Sequence, residues 1–359
     1  DIGGDSTCRS DLLFATGGVS HSIDLACAVF GGAGKVCLAE SPSYFLAFEI
    51  FKAHGMDVLG VPTDENGIIP ELVEEKILKL GAENINLLYL VPTHSNPSGT
   101  TLPLDRREAL VKLSIKYKFK IIADEVYHLL DWSKDVKSGG RPSRMAVLDP
   151  NYASGEEIGE TEEYEVPTQT TQNQQDSDLC GGVISVSAFT KICCPGLRLG
   201  WIESSPSVIE KLKQHAYIQS GGGLVPIQAQ VATELLEGGH QASHLSSLKL
   251  EYSRRSRVLC SEIERYPHLL QLAGGAKEHN AVAGGYFVWV TVVPSGIGSA
   301  ELQELAKDRF QVDFLPGSRC HPNGIEDPSM DNKVRLCFAY LESDKELREG
   351  VKRLAEAVA

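Results

Sequence analysis

A strand, a helix and a second strand in immediate succession constrain this chain more than any other feature. The run Leu87-Leu88-Tyr89-Leu90-Val91 closes in Pro92-Thr93-His94-Ser95-Asn96-Pro97-Ser98-Gly99, and Phe119-Lys120-Ile121-Ile122-Ala123 closes in Asp124-Glu125-Val126-Tyr127. Each run is apolar, of strand length, and ends in turn chemistry or a carboxylate. Between them, Asp105 to Lys118 carries Leu110, Leu113 and Tyr117 at helical spacing. This β-α-β unit predicts parallel strands whose carboxyl ends share one edge, where open α/β sheets bind ligands. A third β-rich stretch, Val183 to Ala188, leads into Phe189-Thr190-Lys191. Asn96, Asp124, Tyr127 and Lys191 are therefore expected on one rim. Core packing does not explain four polar side chains delivered there by three strands.

The same rim has the means to hold an anion. Arg198 follows Lys191 within Pro195-Gly196-Leu197-Arg198-Leu199-Gly200-Trp201, so an amine and a guanidinium stand close in the chain. Arginine suits a phosphate better than lysine does, because its planar fork makes two parallel hydrogen bonds. Upstream, Thr16-Gly17-Gly18-Val19-Ser20 precedes a helical pattern with Ile23, Ala26, Cys27 and Phe30 on one face. The amides of Val19 and Ser20 would then point into a helix N-terminal anion site, with the Ser20 hydroxyl adding a bond. On its own such a sequence more commonly means a glycine turn with a serine cap; the Lys191 and Arg198 segment is what favours the anion.

Composition and spacing argue against other classes. The 359 residues are 42% apolar, ample for a core divided between two domains. No apolar run approaches the roughly 18 residues of a membrane span, and a net charge of −14 argues against a nucleic-acid surface. Gly18-Val19-Ser20-His21-Ser22 fails as a nucleophile elbow because its last position is serine. Val29 and Val36 occupy the places of the first glycine and the Ser/Thr of a phosphate loop. The ten histidines show no metal-ligand spacing, so no metal is expected, and His21, His94 and His128 read as pocket-lining groups. Nine cysteines without a C-x-x-C spacing indicate a reducing compartment and hence a cytoplasmic location.

In combination these motifs resemble a fold-type-I pyridoxal-phosphate enzyme of the class I/II aminotransferase family, from Phe14 onward, and within it the aminoadipate and aromatic branch. The resemblance implies an α/β fold: an aspartate aminotransferase-like large domain, residues 1–254, with a mainly parallel sheet flanked by helices, then a smaller C-terminal α/β domain, residues 255–359. It also implies pyridoxal 5'-phosphate as cofactor and a homodimer with active sites near the interface, where the Ser220-Gly221-Gly222-Gly223 turn would lie. Lys191 would carry the cofactor aldehyde as an imine, Asp124 would pair with the pyridine nitrogen, and Asn96 and Tyr127 would bond the phenolic oxygen. Gly18, Val19, Ser20, Ser187, Thr190 and Arg198 would surround the phosphate. Tyr44 in Glu40-Ser41-Pro42-Ser43-Tyr44 would stack on the ring, and Arg335 with Asn96 would receive the substrate carboxylate. The implied activity moves an amino group from an α-amino acid to a 2-oxo acid by a ping-pong cycle, with a preference that includes bulky or aromatic donors. Such cofactor residues serve other reactions equally, β-elimination among them, and a ligand-binding homologue that has lost catalysis is the remaining alternative.

Two features depart from the family pattern. Ala188 stands three positions before Lys191, where a phosphate-binding serine is usual; the missing bond is worth roughly 1.5–3 kcal/mol of cofactor affinity unless Ser187 or Thr190 replaces it, and strand alternation points Ser187 differently. Only a short segment opening Asp1-Ile2-Gly3-Gly4 precedes Phe14, so the chain reads as a fragment or a processed form, and any substrate contact from a longer N-terminal segment falls outside it. Residues 133–182 read as a polar surface insertion, on account of stretches such as Gly155 to Glu163 and Thr168 to Gln175. Beyond it, residues 207–219, 226–237 and 241–265 read as helices, with Ala283 to Val290 and Val334 to Phe338 as the best strands of the small domain.

The residue types suit the chemistry. A carboxylate at position 124 keeps a ring nitrogen protonated, which an electron sink requires. On that resemblance Lys191 would exchange its bond for the substrate's amine and then, as a free amine, carry a proton. Lys191→Ala is expected to abolish transamination and leave the fold intact; normal turnover by a folded, cofactor-loaded variant would refute the assignment.

Overall fold

The computed structural model describes residues 8–133, 142–153, 181–223, 225–276, 281–294, 296–323, 328–341 and 343–359. Eight strands build the larger sheet: β1 (Leu13–Thr16), β2 (Val36–Ser41), β3 (Asp57–Asp64), β4 (Gly67–Ile68), β5 (Ile85–Leu90), β6 (Lys120–Asp124), β7 (Gly182–Ala188) and β8 (Gly200–Ser204). Their order is β1-β8-β7-β6-β5-β2-β3-β4. The centre, β7-β6-β5-β2-β3, is parallel, and β8, β1 and β4 extend it antiparallel. The β-α-β unit read from the sequence is there: β5, the helix Leu104–Tyr117 and β6, with Leu90 opposite Ala123.

Side-chain alternation explains how one sheet serves two helical layers, since successive residues of a strand face opposite sides. Leu38, Leu88, Leu90, Ile121, Ala123 and Val183 pack with the helices Pro70–Leu80 and Leu104–Tyr117. Cys37, Ala39, Leu87, Tyr89, Ile122, Ile184 and Val186 face the other layer, built from Val19–Phe30, Phe45–Ala53 and Pro206–Gln214. The helix His240–Ile263 continues that layer and reaches the second sheet. There β9 (Leu270–Ala273), β10 (Phe287–Val292), β11 (Leu315–Pro316) and β12 (Lys333–Cys337) run antiparallel in the order β11-β12-β10-β9. The helices Ser299–Phe310 and Asp344–Val358 complete this part.

Two expectations need correction. The helix read over 207–219 divides into Pro206–Gln214 and Ala216–Gln219, with the His215 amide bonded back to Leu212. The supposed polar insertion lies largely outside the described residues, but its part at 142–153 is packed. Met145 and Ala146 are fully buried there, and Arg144 and Asp149 nearly so.

What binds that segment is an ion pair that composition could not reveal. The Arg144 guanidinium donates twice to Glu203 on β8, Nε to Oε2 at 2.8 Å and Nη2 to Oε1 at 2.8 Å, and the Tyr152 hydroxyl also donates to Glu203. The Asp149 carboxylate accepts the Val183 amide at 2.9 Å. Removing one partner of a buried pair strands the other charge. Arg144→Met is expected to cost about 3–5 kcal/mol in urea unfolding, while Arg254→Met, at an exposed pair, costs under about 1 kcal/mol. Equal losses would remove Arg144–Glu203 as the anchor of this segment.

Candidate active site

The carboxyl ends of β2, β5, β6 and β7 converge on a cavity of about 350 Å³. Val19, Ser20, Tyr44, Asn96, Asp124, Tyr127, Thr190, Lys191, Arg198 and Arg335 line it, so ten of the residues singled out in the sequence come together. Phe45, Leu46, Val91, Val126 and Phe287 supply apolar wall that the sequence did not single out.

Asp124 ends β6 as a buried carboxylate. Its Oδ2 accepts the Tyr89 hydroxyl at 3.0 Å and its Oδ1 the Val126 amide at 3.3 Å. Burial pushes the carboxyl up to about 6, against those two hydrogen bonds and the positive charge of Lys191. A cation placed beside it would relieve this cost. Burial also drives the Lys191 amine down; Arg335 adds to the effect, and Cys337 and Asp124 oppose it. That favours the neutral, nucleophilic amine. Lys191 Nζ lies 5.0 Å from the centre of the Tyr286 ring, and the Tyr286 hydroxyl donates to the Lys191 carbonyl at 2.9 Å. Burial raises the Tyr127 phenol well above its ordinary value, which keeps its O–H available as a donor.

The anion cradle stands at the other end. The helix Val19–Phe30 opens at Gly18, with no side chain capping its first amides. Gly18 has φ 109°, and a Cβ there would come within 3.0 Å of Arg198 Nη2. A side chain at 18 would thus be strained and would crowd the guanidinium. Among the described residues, Arg198 is anchored only to carbonyls, Gly17 O at 3.2 Å and Pro195 O at 3.4 Å. Amides, hydroxyl and guanidinium together form a site that can hold a phosphate.

Arg335, on β12, reaches across from the second sheet. Its Nη1 donates to Asn96 Oδ1 at 2.8 Å, and its guanidinium carbon sits 3.9 Å from the centre of the Phe287 ring. Its Nε is buried without a partner among the described residues, a donor with capacity to spare. With Oδ1 of Asn96 engaged, the Nδ2 hydrogens of the same amide remain as donors.

Several expected residues stand elsewhere. Ser187 points to the opposite side of the sheet, where its hydroxyl approaches the Glu125 carbonyl at 3.5 Å, as strand alternation requires. It cannot replace the serine missing at Ala188, itself fully buried; Thr190 does line the cavity. None of the three histidines lines it either. His94 Nε2 pairs with Asp131 at 3.1 Å, His128 Nδ1 is 3.4 Å from the Thr93 hydroxyl, and His21 Nδ1 accepts the Gly17 amide at 2.9 Å. Tyr89 and Tyr286 were missed: their only sequence signal is aromatic residues in strand-like runs, which normally means core.

The fold is that of aspartate aminotransferase-like proteins, the Thermus thermophilus aspartate aminotransferase superposing with a TM-score of 0.73. The chain belongs to the aminotransferase class I and II family, which it matches over residues 6–354. It is 29% identical over 351 residues to aromatic-amino-acid aminotransferase 1 of Thermococcus litoralis, covering 96% of this chain and 72% of that protein. The solved kynurenine aminotransferase of Pyrococcus horikoshii superposes with a TM-score of 0.78 at 26% identity, over 96% of this chain and 74% of that one. LysN, the alpha-aminoadipate aminotransferase of Thermus thermophilus, gives 0.74 at 25% identity, over 98% and 77%. The protein is thus a transaminase, and the family implies pyridoxal phosphate. No described helix is long and apolar enough to cross a membrane.

Asp124 links the site to stability. Its carboxyl titrates near 6 in the fold against 3.8 for the ordinary group, so its contribution is favourable below the unfolded value and is lost as pH rises through the folded one. The cofactor-free protein is expected to lose roughly 3 kcal/mol between about pH 4 and pH 6 from this group, and Asp124→Asn to flatten that slope. Identical stability–pH curves for the two proteins would contradict it.

Proposed function

We propose that the protein transfers an amino group from an α-amino acid to a 2-oxo acid by a ping-pong cycle, holding its cofactor between Asp124 and Arg198 and linking it to Lys191. The observation that carries the reading is one cavity containing a depressed amine, a buried carboxylate and an anion cradle. These groups fit pyridoxal phosphate by chemistry. Arg198, the Val19 and Ser20 amides, the Ser20 hydroxyl and Thr190 suit the phosphate; Asp124 suits a protonated ring nitrogen; Asn96 Nδ2 and the Tyr127 hydroxyl suit the phenolic oxygen; Tyr44 suits the ring face. When bound, the cofactor supplies the electron sink for the substrate α-carbon.

This chain's own groups do the rest. Asp124, costly to bury as an anion, holds a proton on its partner nitrogen. Lys191, as a free amine, would be the base of the cavity and would move the α-proton. Arg335 binds the substrate α-carboxylate with Asn96, using a guanidinium already oriented by Phe287. The names of the relatives support aromatic or aminoadipate-type donors as the first to test. A homodimer, a cytoplasmic location, and the division into residues 1–254 and 255–359, with His240–Ile263 as the connection, belong to the same proposal.

The test is absorption spectroscopy of the protein with added pyridoxal phosphate. A visible band should appear, bleach with phenylalanine, tyrosine, kynurenine or 2-aminoadipate, and return with a 2-oxo acid. Bleaching with release of ammonia and no return would instead indicate elimination, and no band at all would favour a binding protein. Arg335→Gln should lower kcat/KM for the amino donor by about 10- to 100-fold and leave the band of the resting enzyme in place.

A further inference from the structure

Glu40 is a buried carboxylate that none of the chemistry above uses. It precedes the last residue of β2 and is 3% exposed. One oxygen, Oε1, accepts three hydrogen bonds: from the Val91 amide at 2.7 Å, the Ser95 hydroxyl at 3.1 Å and the Ser43 hydroxyl at 3.2 Å. Val91 and Ser95 bracket the chain that leaves β5 and delivers Asn96; Ser43 immediately precedes Tyr44. We propose that Glu40 is a positioning residue of the active site, its carboxylate fixing the Val91–Asn96 loop and the Ser43–Tyr44 turn so that Asn96 and Tyr44 face the cofactor. The inference rests on the functional reading of Asn96 and Tyr44 given above.

The argument is one of geometry. Asn96 spends its Oδ1 on Arg335, so its value to a ligand lies in the direction of Nδ2, set by the backbone between Val91 and Asn96. That backbone leaves the end of β5 toward the helix Leu104–Tyr117 with few backbone bonds of its own, chiefly Ser95 N to Thr100 O at 2.8 Å and Leu102 N to Pro92 O at 2.9 Å. Arg107 holds the early part, donating to Pro92 O at 2.6 Å and to the Thr93 hydroxyl at 2.9 Å. Glu40 holds both ends of the loop. The same carboxylate is tied indirectly to the short helical turn Gly317–Cys320 that follows β11, because the Ser43 amide donates to Cys320 O at 2.9 Å. In the ionised form of Glu40, Oε1 takes the three donors with charge-assisted strength, which a neutral amide oxygen does not match. Burial pushes the Glu40 carboxyl up to about 8 while these three bonds pull it down, so the form that grips the loop most firmly prevails above that value.

The decisive experiment is a double-mutant cycle read by cofactor binding. Wild type, Glu40→Gln, Asn96→Ala and the double variant are titrated with pyridoxal phosphate at about pH 9, where Glu40 is ionised, recording the dissociation constant and the position of the visible band. Glu40→Gln should loosen the cofactor about ten-fold and move the band in the direction Asn96→Ala moves it. In the double variant the loss should fall clearly short of the product of the two single losses, because the part of Glu40's effect that runs through Asn96 is already gone and only the part through Tyr44 remains. Losses that multiply, or a Glu40→Gln variant with a lowered unfolding midpoint but wild-type affinity and band, would overturn the assignment. Should Glu40→Gln not fold, Ser95→Ala removes a single neutral donor; it should move affinity and band the same way by less, and unchanged values would equally overturn it. A wild-type protein that forms no visible band marks a different failure, that of the functional reading, and the inference falls with it.

Discussion

Burying the Asp124 carboxylate at the end of β6 is the constraint around which this molecule is arranged. An ionised carboxylate removed from water is destabilising unless donors and cations answer it. Tyr89 and the Val126 amide answer it in part, and Lys191 contributes charge. The remainder is left to a cationic ligand. The position is tolerable only because the parallel centre of the sheet brings the ends of β5, β6 and β7 side by side. A fold optimised for stability alone would place an apolar residue there.

The second constraint is that the cavity belongs to two sheets. Arg335 arrives from β12 and meets Asn96, which leaves β5; Tyr286, just before β10, bonds the backbone of Lys191. These contacts join the second sheet to the carboxyl edge of the first through polar bonds at the place where substrate is proposed to bind. Glu40 and Arg107 work from beneath, tying the loops that carry the site to the body of the sheet. Reacting groups at the surface of the cavity thus stand on buried polar groups that touch no ligand. This is how a site keeps its geometry when its residues come from separate strands.

Much of this was legible in the chain. Lys191, Asp124, Asn96 and Tyr127 could be assigned to one rim because each follows an apolar run, and parallel strands put such positions together. Arg198 was legible as a guanidinium in a Pro/Gly turn close behind a lysine. Reading failed where a residue's meaning depends on direction rather than order. Ser187 was a candidate phosphate ligand by proximity in sequence, and the alternation of β7, which already argued against it, turns it to the other face. His94 sat beside Asn96 and looked available, but Asp131, far along the chain, claims it. Arg144 looked like part of a polar insertion because its partner Glu203 is distant in sequence.

What the sequence determined by itself is local and periodic. Alternation and helical spacing set the elements, the β-α-β order set the parallel pairing, and residue types at strand ends set the kind of ligand, because these depend on neighbours within a few positions. The tertiary structure alone decided which polar groups are satisfied by protein and which remain for a ligand. Glu40, Arg107 and Asp131 are spent on loops, whereas the buried Nε of Arg335 has no partner among the described residues. Whether a hydrogen bond is already made depends on distances between residues far apart in the chain, and only the packed fold brings those residues within reach.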